Sequence, residues 1–355
     1  MAEYYLTTKD VLDGGCHGKL YVDDPNNPQS AFLYSRGWYG LAGNTTNDTF
    51  NQSLKAFLAG ADFANDPCRN EPEVMFLYCH PLEWRDQFPI LLGASSPIEI
   101  LRRHYRFRQF PFDWRTRLPD GFVARPIDKD LLENNQLRNI RGVRNWMREC
   151  WTGAMDVFYQ RGGGVCLLRG DEIVSWCLLV EIAGQSCELG VETTHKYRRL
   201  GFGALVTMAA VAACLERGFT VIDWHCNESN GGSWGLAEKS GFGLERKYTY
   251  HAYFFDQASY CAAIGELRLQ EENYPSAAEW FEKAIATGHA KESVYHNAAE
   301  AYAVLGEKDA AIRYLNTAID KGWDDIDFTQ HCANLKELPD LPEWAALLAR
   351  MPAKS

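Results

Sequence analysis

The residues with the clearest potential for chemistry form a glycine-containing loop that follows a predicted strand and opens a predicted helix. The pattern is Arg198-x-x-Gly201-x-Gly203, and the strand before it ends near Thr193. Successive backbone N–H groups in such a loop form a concave anion site, to which the helix dipole adds about half a positive charge. The loop is locally basic, since it contains the run His195-Lys196-Tyr197-Arg198-Arg199, in a chain that is acidic overall. We therefore predict a site for a ligand with several phosphates.

The elements that must position this loop alternate between strands and helices over residues 121–254. Strands are predicted at Gly121–Pro126, Gly164–Leu168, Ile173–Val180, Ser186–Thr193, Phe219–Cys226 and Arg246–Phe255. Helices are predicted from Asp128 to about Tyr159, at Gly203–Arg217 and at Asn230–Ser240. Hairpins followed by a βαβ unit indicate a mixed sheet. No Gly-x-x-x-x-Gly-Lys-Ser/Thr pattern is present, which excludes a P-loop, and the dinucleotide pattern Gly-x-Gly-x-x-Gly does not fit.

Residues 121–254 resemble the GNAT superfamily of N-acyltransferases, and most closely its bacterial zwittermicin-A-resistance type. Besides the loop, the resemblance rests on the strand end Asp223-Trp224-His225-Cys226-Asn227, on Ser233 and on the Gly241-Phe242 pair. It implies an α/β (α+β) GNAT fold with a mixed central sheet, which binds acetyl-CoA where two strands part. The residues that the resemblance assigns to coenzyme A are Val191, Glu192, Thr193, Arg198, Arg199, Leu200, Gly201, Phe202, Gly203, Ala204, Asn227 and Ser233.

Acyl transfer to an amine needs a neutral nitrogen, and a free alkyl amine has a pKa of about 10.4. GNAT enzymes often place a glutamate base on the fourth strand, where Glu188 and Glu192 have the same parity and face one side of the sheet. We favour Glu188, because Glu192 is nearer to the cofactor-pairing strand end, and we keep His225 as an alternative base. Many family members protonate the leaving thiolate with a tyrosine where this sequence has Ala237, so Ser233 or water is expected to act instead.

The pattern in residues 1–117 predicts a further α/β segment, with strands at Lys19–Val22, Ala31–Tyr34, Trp38–Ala42 and Val74–Cys79 and helices at Asp48–Leu58 and Pro81–Leu92. The order strand, strand, helix, strand, helix repeats that of residues 173–240. We interpret it as a degenerate GNAT-like half-domain, a feature often found in the same branch; an unrelated α/β domain is the alternative. The loop at residues 43–48 has one glycine and an acid, so we expect a cofactor-free scaffold or an acceptor-side wall. The basic run at residues 102–108 is consistent with a half-buried strand with a charged face, an anionic acceptor site or a clamp on the adenosine phosphates.

Residues 256–355 contain two segments in register at a spacing of 34. The matched positions are Gly265 with Ala299, Ala277 with Ala311, Phe281 with Leu315, Ala284-Ile285 with Ala318-Ile319, and Gly288 with Gly322. This pattern resembles the tetratricopeptide repeat, although the first copy has Cys261 and Arg268 at aromatic positions of that motif. We predict an all-α helical-hairpin domain closed by a capping helix at residues 340–351. The predicted domains are therefore residues 1–117, 118–255 and 256–355.

Composition limits the partners. The 355 residues include 36 basic and 47 acidic side chains, a net charge of −11 that argues against nucleic acid. Eleven scattered cysteines without a Cys-x-x-Cys pair indicate reduced thiols rather than disulfides, and no spacing suggests a metal site. The amino terminus lacks a signal-type apolar region and no apolar stretch is long enough to cross a membrane, so we expect a cytoplasmic protein.

Three functional hypotheses follow. The first is an acetyl-CoA-dependent N-acetyltransferase that acts on a small amine, for example in antibiotic self-resistance. The second keeps this chemistry but uses a peptide or protein acceptor that the helical repeats present. The third is a non-catalytic interaction protein that binds acyl-CoA, in which the missing tyrosine at Ala237 marks lost catalysis. Independently of these three, the repeats are candidates for a homodimer contact.

Overall fold

The structure is a computed structural model that describes residues 5–14, 18–69, 73–93, 96–151 and 155–351. The chain forms two compact units, residues 1–253 and residues 254–355. In the described part of the chain, no helix is long and apolar enough to span a bilayer.

The described residues of the first unit form one mixed sheet of eleven strands. In chain order these strands are β1 (Lys19–Val22), β2 (Ser30–Ser35), β3 (Trp38–Gly43), β4 (Val74–His80), β5 (Ile98–Phe107), β6 (Phe122–Pro126), β7 (Gly164–Arg169), β8 (Glu172–Ala183), β9 (Ser186–Thr193), β10 (Val221–Asn227) and β11 (Phe242–Phe254). Across the sheet they follow the order β1-β2-β3-β4-β11-β5-β10-β9-β8-β7-β6. The mixed sheet that the sequence predicted is thus confirmed, and it continues without a break across residue 118.

Strands from the two halves of the first unit alternate near the middle of the sheet, in the order β4-β11-β5-β10. β5 lies between β10 and β11, with Arg106 opposite Asp223 and Arg102 opposite Asn227 on one side. On its other side β5 pairs antiparallel with β11, from Phe107 opposite Phe242 to Ile98 opposite Ala252. Because β5 is paired along both edges, it is an interior strand that joins the first part of the sheet to the second.

Helices cover the sheet. The helices of the first unit are α1 (Leu6–Leu12), α2 (Asp48–Leu58), α3 (Ala61–Ala64), α4 (Phe88–Leu92), α5 (Lys129–Glu133), α6 (Ile140–Cys150), α7 (Met155–Arg161), α8 (Phe202–Glu216) and α9 (Gly231–Lys239). α8 packs on β7, β8 and β9 through an almost wholly apolar surface that includes the fully buried Val206 and Val211. α1 and α6 contact β8. Trp146 of α6 lies so close to Gly190 of β9 that an added Cβ there would be 2.7 Å from its ring.

The same succession of connections occurs twice in the first unit. β2 and β3 are antiparallel, and α2 then leads to β4, which is parallel to β3. β8 and β9 are likewise antiparallel, and α8 then leads to β10, which is parallel to β9. The copies differ in pairing, since β3 and β4 pair over five residues whereas β9 and β10 pair over three. The predicted division of this unit at residue 117 stays a prediction.

An ion pair ties the β2–β3 turn to the second half of the sheet. The Arg36 guanidinium lies 2.5 Å from the Glu181 carboxylate of β8 and also donates to the Cys150 carbonyl at 3.0 Å. Both charged side chains are largely shielded from solvent. Burial raises the pKa of Glu181, while the Arg36 charge opposes that rise. Removing either partner would leave the other charge buried and unpaired, which typically costs several kcal/mol.

The second unit is helical. Its helices are α10 (Gln257–Gln270), α11 (Tyr274–Ala286), α12 (Glu292–Val304), α13 (Lys308–Asp320), α14 (Ile326–His331) and α15 (Pro342–Ala349). α10 packs on α11 and α12 on α13. A Cβ on Gly265 would lie 2.5 Å from the Phe281 ring, so the small residue permits the close approach of α10 and α11. Gly288 and Gly322 have φ values of +78° and +109°, as expected for glycines that end helices.

Two local expectations need correction. Residues 81–92 were predicted as one helix, but Leu82–Gln87 is a 3₁₀ turn and only Phe88–Leu92 is α-helical, with a proline in its first turn. The last strand was predicted to start at Arg246 but begins at Phe242, because its first residues pair with the end of β5. The ten described cysteines are free thiols, in agreement with the prediction, while Cys16 lies outside the described residues.

The start of the antiparallel pairing between β11 and β5 depends on Gly241, which precedes β11. Its φ is +90°, and an added Cβ would lie 1.9 Å from the Gln109 carbonyl oxygen. Gly121 has a similar φ of +81° with nothing within 4 Å of an added Cβ. We expect Gly121→Ala to cost only the left-handed backbone penalty of about 1 kcal/mol, and Gly241→Ala to cost at least about 2 kcal/mol more. Urea unfolding of the two variants measures the difference, and equal losses would contradict the close approach.

Candidate active site

The parallel strands β9 and β10 part to form an opening in the sheet. They pair only from Ser186 opposite Val221 to Glu188 opposite Asp223. Beyond that point β9 stays paired with β8 through Thr193, and β10 stays paired with β5 through Asn227. The backbone edges that face each other across the opening therefore have no ladder between them, and an extended ligand could pair with them. Glu188 lies where the strands begin to part.

The predicted anion loop lies at the end of β9 and begins α8. Gly201 is the N-cap of α8 with φ +91°, and no side chain caps the helix. Asn47 and Asn230, in contrast, accept hydrogen bonds from the first backbone amides of α2 and α9. An added Cβ on Gly201 would meet nothing within 4 Å, whereas one on Gly203 would be 3.1 Å from Leu236. The positive end of the α8 dipole thus stays open to an anionic ligand.

The first basic residue of the loop is held by its own neighbours. Arg198 donates through Nε to the Thr193 carbonyl at 3.0 Å and through a terminal nitrogen to Glu192 at 2.8 Å. Arg199 and Leu200 are exposed, whereas the Phe202 ring is buried and stacks on Phe122. Glu192 is therefore an ion-pair partner of the loop, which favours Glu188 over Glu192 as the base. Val191, Thr193 and Ala204 lie half-buried along this rim.

Glu188 has the electrostatic properties of a general base. Its half-buried side chain shares a sheet face with Asp223, its partner across the ladder. Burial raises the pKa of Glu188 to about 8; the positive charge of Arg102 opposes the rise, and the negative charges of Glu181 and Asp223 add to it. A carboxyl group with a pKa near the working pH can both accept and return a proton.

His225 lies on the same face, two residues after Asp223. Its Nδ1 is 2.6 Å from the Tyr248 hydroxyl, and its ring stacks on the His104 ring with 4.2 Å between the centroids. Burial, reinforced by the positive charges of His104, Arg102 and Arg246, holds the pKa of His225 well below its ordinary value. The ring is therefore neutral at pH 7, so it could accept a proton only weakly.

The donor atoms of His104, Asp223 and His225 lie within 4.8 Å of one another, a spacing that a metal ion could use. The same Asp223 oxygen, however, is 3.0 Å from His104 Nε2 and 2.9 Å from Arg106 Nε. Burial acts against ionisation of Asp223, but the hydrogen bonds from His104 and Arg106 hold its pKa below the ordinary value. The positive charge already present makes this cluster a poor cation site.

Aromatic side chains surround this face of the opening, and the sequence did not identify them. Tyr78 of β4 lies 3.9 Å from Tyr5 and 6.0 Å from Tyr248 between ring centroids. Trp38 of β3 is 5.3 Å from Tyr78 and 5.9 Å from Tyr250. Tyr248 and Tyr250 have the same parity on β11, which was the available sequence signal. Their convergence with β3 and β4 could not be read locally.

Ser233 lies apart from the Glu188 face. Its hydroxyl accepts a hydrogen bond of 3.0 Å from the Trp224 indole, and Trp224 has the opposite parity to Asp223 and His225 on β10. Asn227, at the open end of β10, forms a hydrogen bond with Tyr250. The structure thus brings Glu188 and His225 to one face, and places Ser233 on the other. Ala237 is fully buried, so no side chain replaces the tyrosine of the family pattern at that position.

The family model described as GNAT acetyltransferase matches residues 4–253. The chain therefore belongs to the GNAT acetyltransferase family, and it is an N-acetyltransferase with a GNAT-type α/β fold. The match spans both halves of the eleven-stranded sheet.

Three individual proteins illustrate what the chain is similar to. The Bacillus subtilis (strain 168) protein named uncharacterized N-acetyltransferase YdfB is 27% identical over 243 residues, which are 68% of this chain and 87% of that protein. A GCN5-related N-acetyltransferase-like protein from Streptococcus suis 89/1591 has a TM-score of 0.47 at 22% identity, over 68% of this chain and 90% of that chain. A tandem GNAT protein from the clavulanic acid biosynthesis pathway, solved without AcCoA, has a TM-score of 0.45 at 11% identity, over 67% of this chain and 83% of that chain.

The raised pKa of Glu188 has a measurable effect on stability. The native carboxyl has a pKa of about 8, against about 4.3 in the unfolded chain. The free energy of unfolding of the wild type therefore falls as pH rises between these values, because the carboxyl ionises less readily in the folded protein. Glu188→Gln carries no such penalty. We expect it to match the wild type near pH 4.5 and to be more stable by up to about 5 kcal/mol at pH 9.

Urea unfolding at both pH values measures this. Glu192→Gln is the matched control, because its carboxylate is exposed and paired with Arg198, and it should gain nothing at pH 9. A difference between wild type and Glu188→Gln that does not change with pH would contradict the assignment.

Proposed function

We propose that this protein transfers the acetyl group of acetyl-CoA to the primary amine of a small molecule. The observation that carries the proposal is the opening between β9 and β10, which has a glutamate of raised pKa at its closed end and an uncapped helix N-terminus at its open end. The glutamate suits a role as base for the reacting amine, and the helix N-terminus suits a ligand with phosphates.

The residues present fit coenzyme A. The loop from Arg198 to Ala204 offers backbone amides at the positive end of α8, and Gly201 leaves open space beside them. The free edge of β9, from Val191 to Thr193, suits the amide groups of an extended pantetheine arm, and Asn227 lies at the end of the opposite strand. When bound, acetyl-CoA would supply the thioester as acyl donor.

Glu188 is the proposed base. In the overall reaction the acceptor nitrogen forms a bond to the acetyl carbon and loses a proton, while the thioester C–S bond breaks and the sulfur gains a proton. Glu188 takes the proton from nitrogen, directly or through a water molecule. Coenzyme A is a tolerable leaving group, because thiols ionise near pH 8.5. We therefore assign the final proton to water or Ser233 in the absence of a tyrosine at Ala237.

We further propose that residues 1–117 are a degenerate GNAT-like half-domain of a zwittermicin-A-resistance-type protein. The repeated succession of strands and helices supports this. β3 and β4 stay paired over five residues, and the Asn47 side chain occupies a helix-start amide of α2. The Asn44 amide also donates to the Gln29 carbonyl at 2.7 Å. These features leave that half without an open anion loop, which favours a scaffold role.

For residues 256–355 we propose two tetratricopeptide-type hairpins closed by α15. The helix starts at 257, 274, 292 and 308 repeat at 34 to 35 residues, and Phe281 and Leu315 are fully buried at equivalent positions. Such hairpins bind peptides in other proteins, so a peptide or protein acceptor is the second candidate function. Removal of residues 257–355 distinguishes the two, since a small-amine enzyme that stays folded should keep its activity.

The cofactor site is tested at the two ends of α8. Gly201 and Gly218 have nearly equal φ values, +91° and +89°, and both have open space around an added Cβ. Glutamate at either position therefore brings the same strain and charge. We expect Gly201→Glu to weaken coenzyme A binding by at least ~100-fold, because its carboxylate would occupy the phosphate site, and Gly218→Glu to bind as the wild type does. Isothermal calorimetry with coenzyme A measures both affinities, and equal affinities would refute the site.

The base is tested by the pH dependence of turnover. Glu188 can accept a proton only in its ionised form, so wild-type kcat/KM should rise with pH around a midpoint near 8. Glu188→Gln should lower kcat by about 10²–10⁴-fold and remove this midpoint, whereas Glu192→Gln should keep it. Release of free thiol from acetyl-CoA measures the rate. A midpoint that persists in Glu188→Gln would transfer the role to another group, with His225 the first candidate.

A further inference from the structure

The β5 strand and the residue after it carry four arginines, three of which have carboxylate partners. Arg103 donates to both oxygens of Glu228 at 2.5 and 2.7 Å, Arg106 lies 2.9 Å from Asp223, and Arg108 pairs with Glu245. Arg102 is the exception. Among the residues that the structure describes, no carboxylate lies within 4.0 Å of it, and its Nε is buried without a hydrogen-bond partner.

Arg102 is held in place by aromatic rings instead. Its guanidinium carbon lies 5.6 Å from the centroid of the Trp38 ring and 5.6 Å from that of the Tyr250 ring. The two rings meet edge to face, with 5.9 Å between their centroids, so Arg102 lies beside both of them. These contacts satisfy none of its N–H donors, since a ring face attracts the charge without accepting in the guanidinium plane. The donors of a half-buried guanidinium are thus left available.

The position of Arg102 connects it to the proposed chemistry. It is opposite Asn227 on β10 and opposite Tyr248 on β11, and it has the same parity on β5 as His104. It therefore belongs to the sheet face that carries Glu188. Its charge is the strongest influence that opposes the raised pKa of Glu188, so the two groups are electrostatic neighbours.

A positive charge removed from water without a partner is unfavourable, and proteins usually pair it. A guanidinium beside the reacting position is well suited to an oxyanion of the substrate, because its fork of N–H groups binds a carboxylate through two parallel hydrogen bonds. The flanking rings fit a substrate with an apolar body. The anion loop of α8 lies on the far side of β10 from β5, so a second anion-binding group here is separate from the cofactor phosphates.

We propose that the acetyl acceptor is an amine that also carries a carboxylate, as an amino acid does, and that Arg102 binds this carboxylate. Arg102 is thus a specificity-determining residue that orients the amine toward Glu188. This inference rests on the proposed acetyltransferase function and adds the chemical class of the acceptor.

The test compares amines that differ only in the carboxylate. Acetyl-CoA-dependent thiol release is measured with tryptophan and tryptamine, tyrosine and tyramine, and lysine and cadaverine, with O-phosphoethanolamine and ethanolamine as the phosphate pair. The enzymes are the wild type, Arg102→Gln, Arg102→Lys, and Arg108→Gln as a control on an exposed arginine just beyond the carboxyl end of the same strand. We expect the wild type to prefer the carboxylated member of at least one pair by ~100-fold in kcat/KM.

Arg102→Gln should reduce that preference to within about threefold, because the carboxylated amine loses more turnover than the plain amine does. Arg102→Lys should restore part of the preference, since lysine provides charge without the bidentate fork. Arg108→Gln should behave as the wild type does. Coenzyme A affinity of Arg102→Gln, measured by calorimetry, should be unchanged.

Four results would overturn the inference. They are a wild-type preference for plain amines, a stronger preference for the phosphorylated amine, an equal loss on both members of a pair in Arg102→Gln, and a loss of coenzyme A affinity in that variant. The last would identify Arg102 as a clamp on the cofactor phosphates. These results leave the proposed function intact, whereas a wild type that binds coenzyme A but acetylates no amine would remove both.

Discussion

The backbone pairing of β5 along both of its edges is the constraint on which the active site depends. β10 can separate from β9 after only three residues because its other edge is held by β5 as far as Asn227. Without that ladder, the end of β10 would have unpaired N–H and C=O groups on both sides, which is unfavourable in a protein interior. The open slot is thus made possible by a strand from the other half of the chain.

The same strand determines the electrostatics of the site. β5 brings Arg102 and Arg106 to the face where Glu188 lies, and β11 adds Arg246. Burial, reinforced by these charges, keeps His225 neutral. Hydrogen bonds from His104 and Arg106 hold Asp223 ionised, while burial keeps Glu188 largely protonated at pH 7. The two carboxyl groups would titrate at nearly the same pH in water, at about 3.9 and 4.3, but within this cluster they are set to opposite protonation states. Function in this region depends on the sheet as a whole rather than on one motif.

Local patterns in the sequence predicted the parts of the fold that depend on local interactions. The helix at Asp48–Leu58 and the left-handed glycines that end helices at 288 and 322 follow from residue type and spacing alone. The loop and its helix were identified for the same reason, as was the parity of Glu188. The order of strands was not predictable, because the pairing of Arg102 with Asn227 joins residues 125 positions apart, and no periodicity encodes such a contact.

The aromatic cluster around Arg102 was hidden for a related reason. Tyr78, Tyr248 and Arg102 come from three strands, and their shared burial exists only after the sheet has formed. The sequence of residues 102–108 left several roles open. Arg102 was distinguished only by the structure, in which the other arginines of this run have carboxylate partners. Glu192 and Glu188 looked equivalent by parity, but the ion pair with Arg198 separates them.

The pairing of β5 with two strands that come much later in the chain also has a consequence for biosynthesis. β5 is complete at residue 107, but its partners β10 and β11 begin at residues 221 and 242. At a translation rate of about 5–20 residues per second, roughly 5 to 30 seconds pass between the synthesis of β5 and that of its partners, and both edges of β5 are unpaired during this time. The nascent chain must therefore be shielded from pairing with other chains during this interval, by its own helices or by a chaperone. The arginines along β5, which the finished enzyme uses for ion pairs and at its active-site face, keep the exposed edge charged in the meantime.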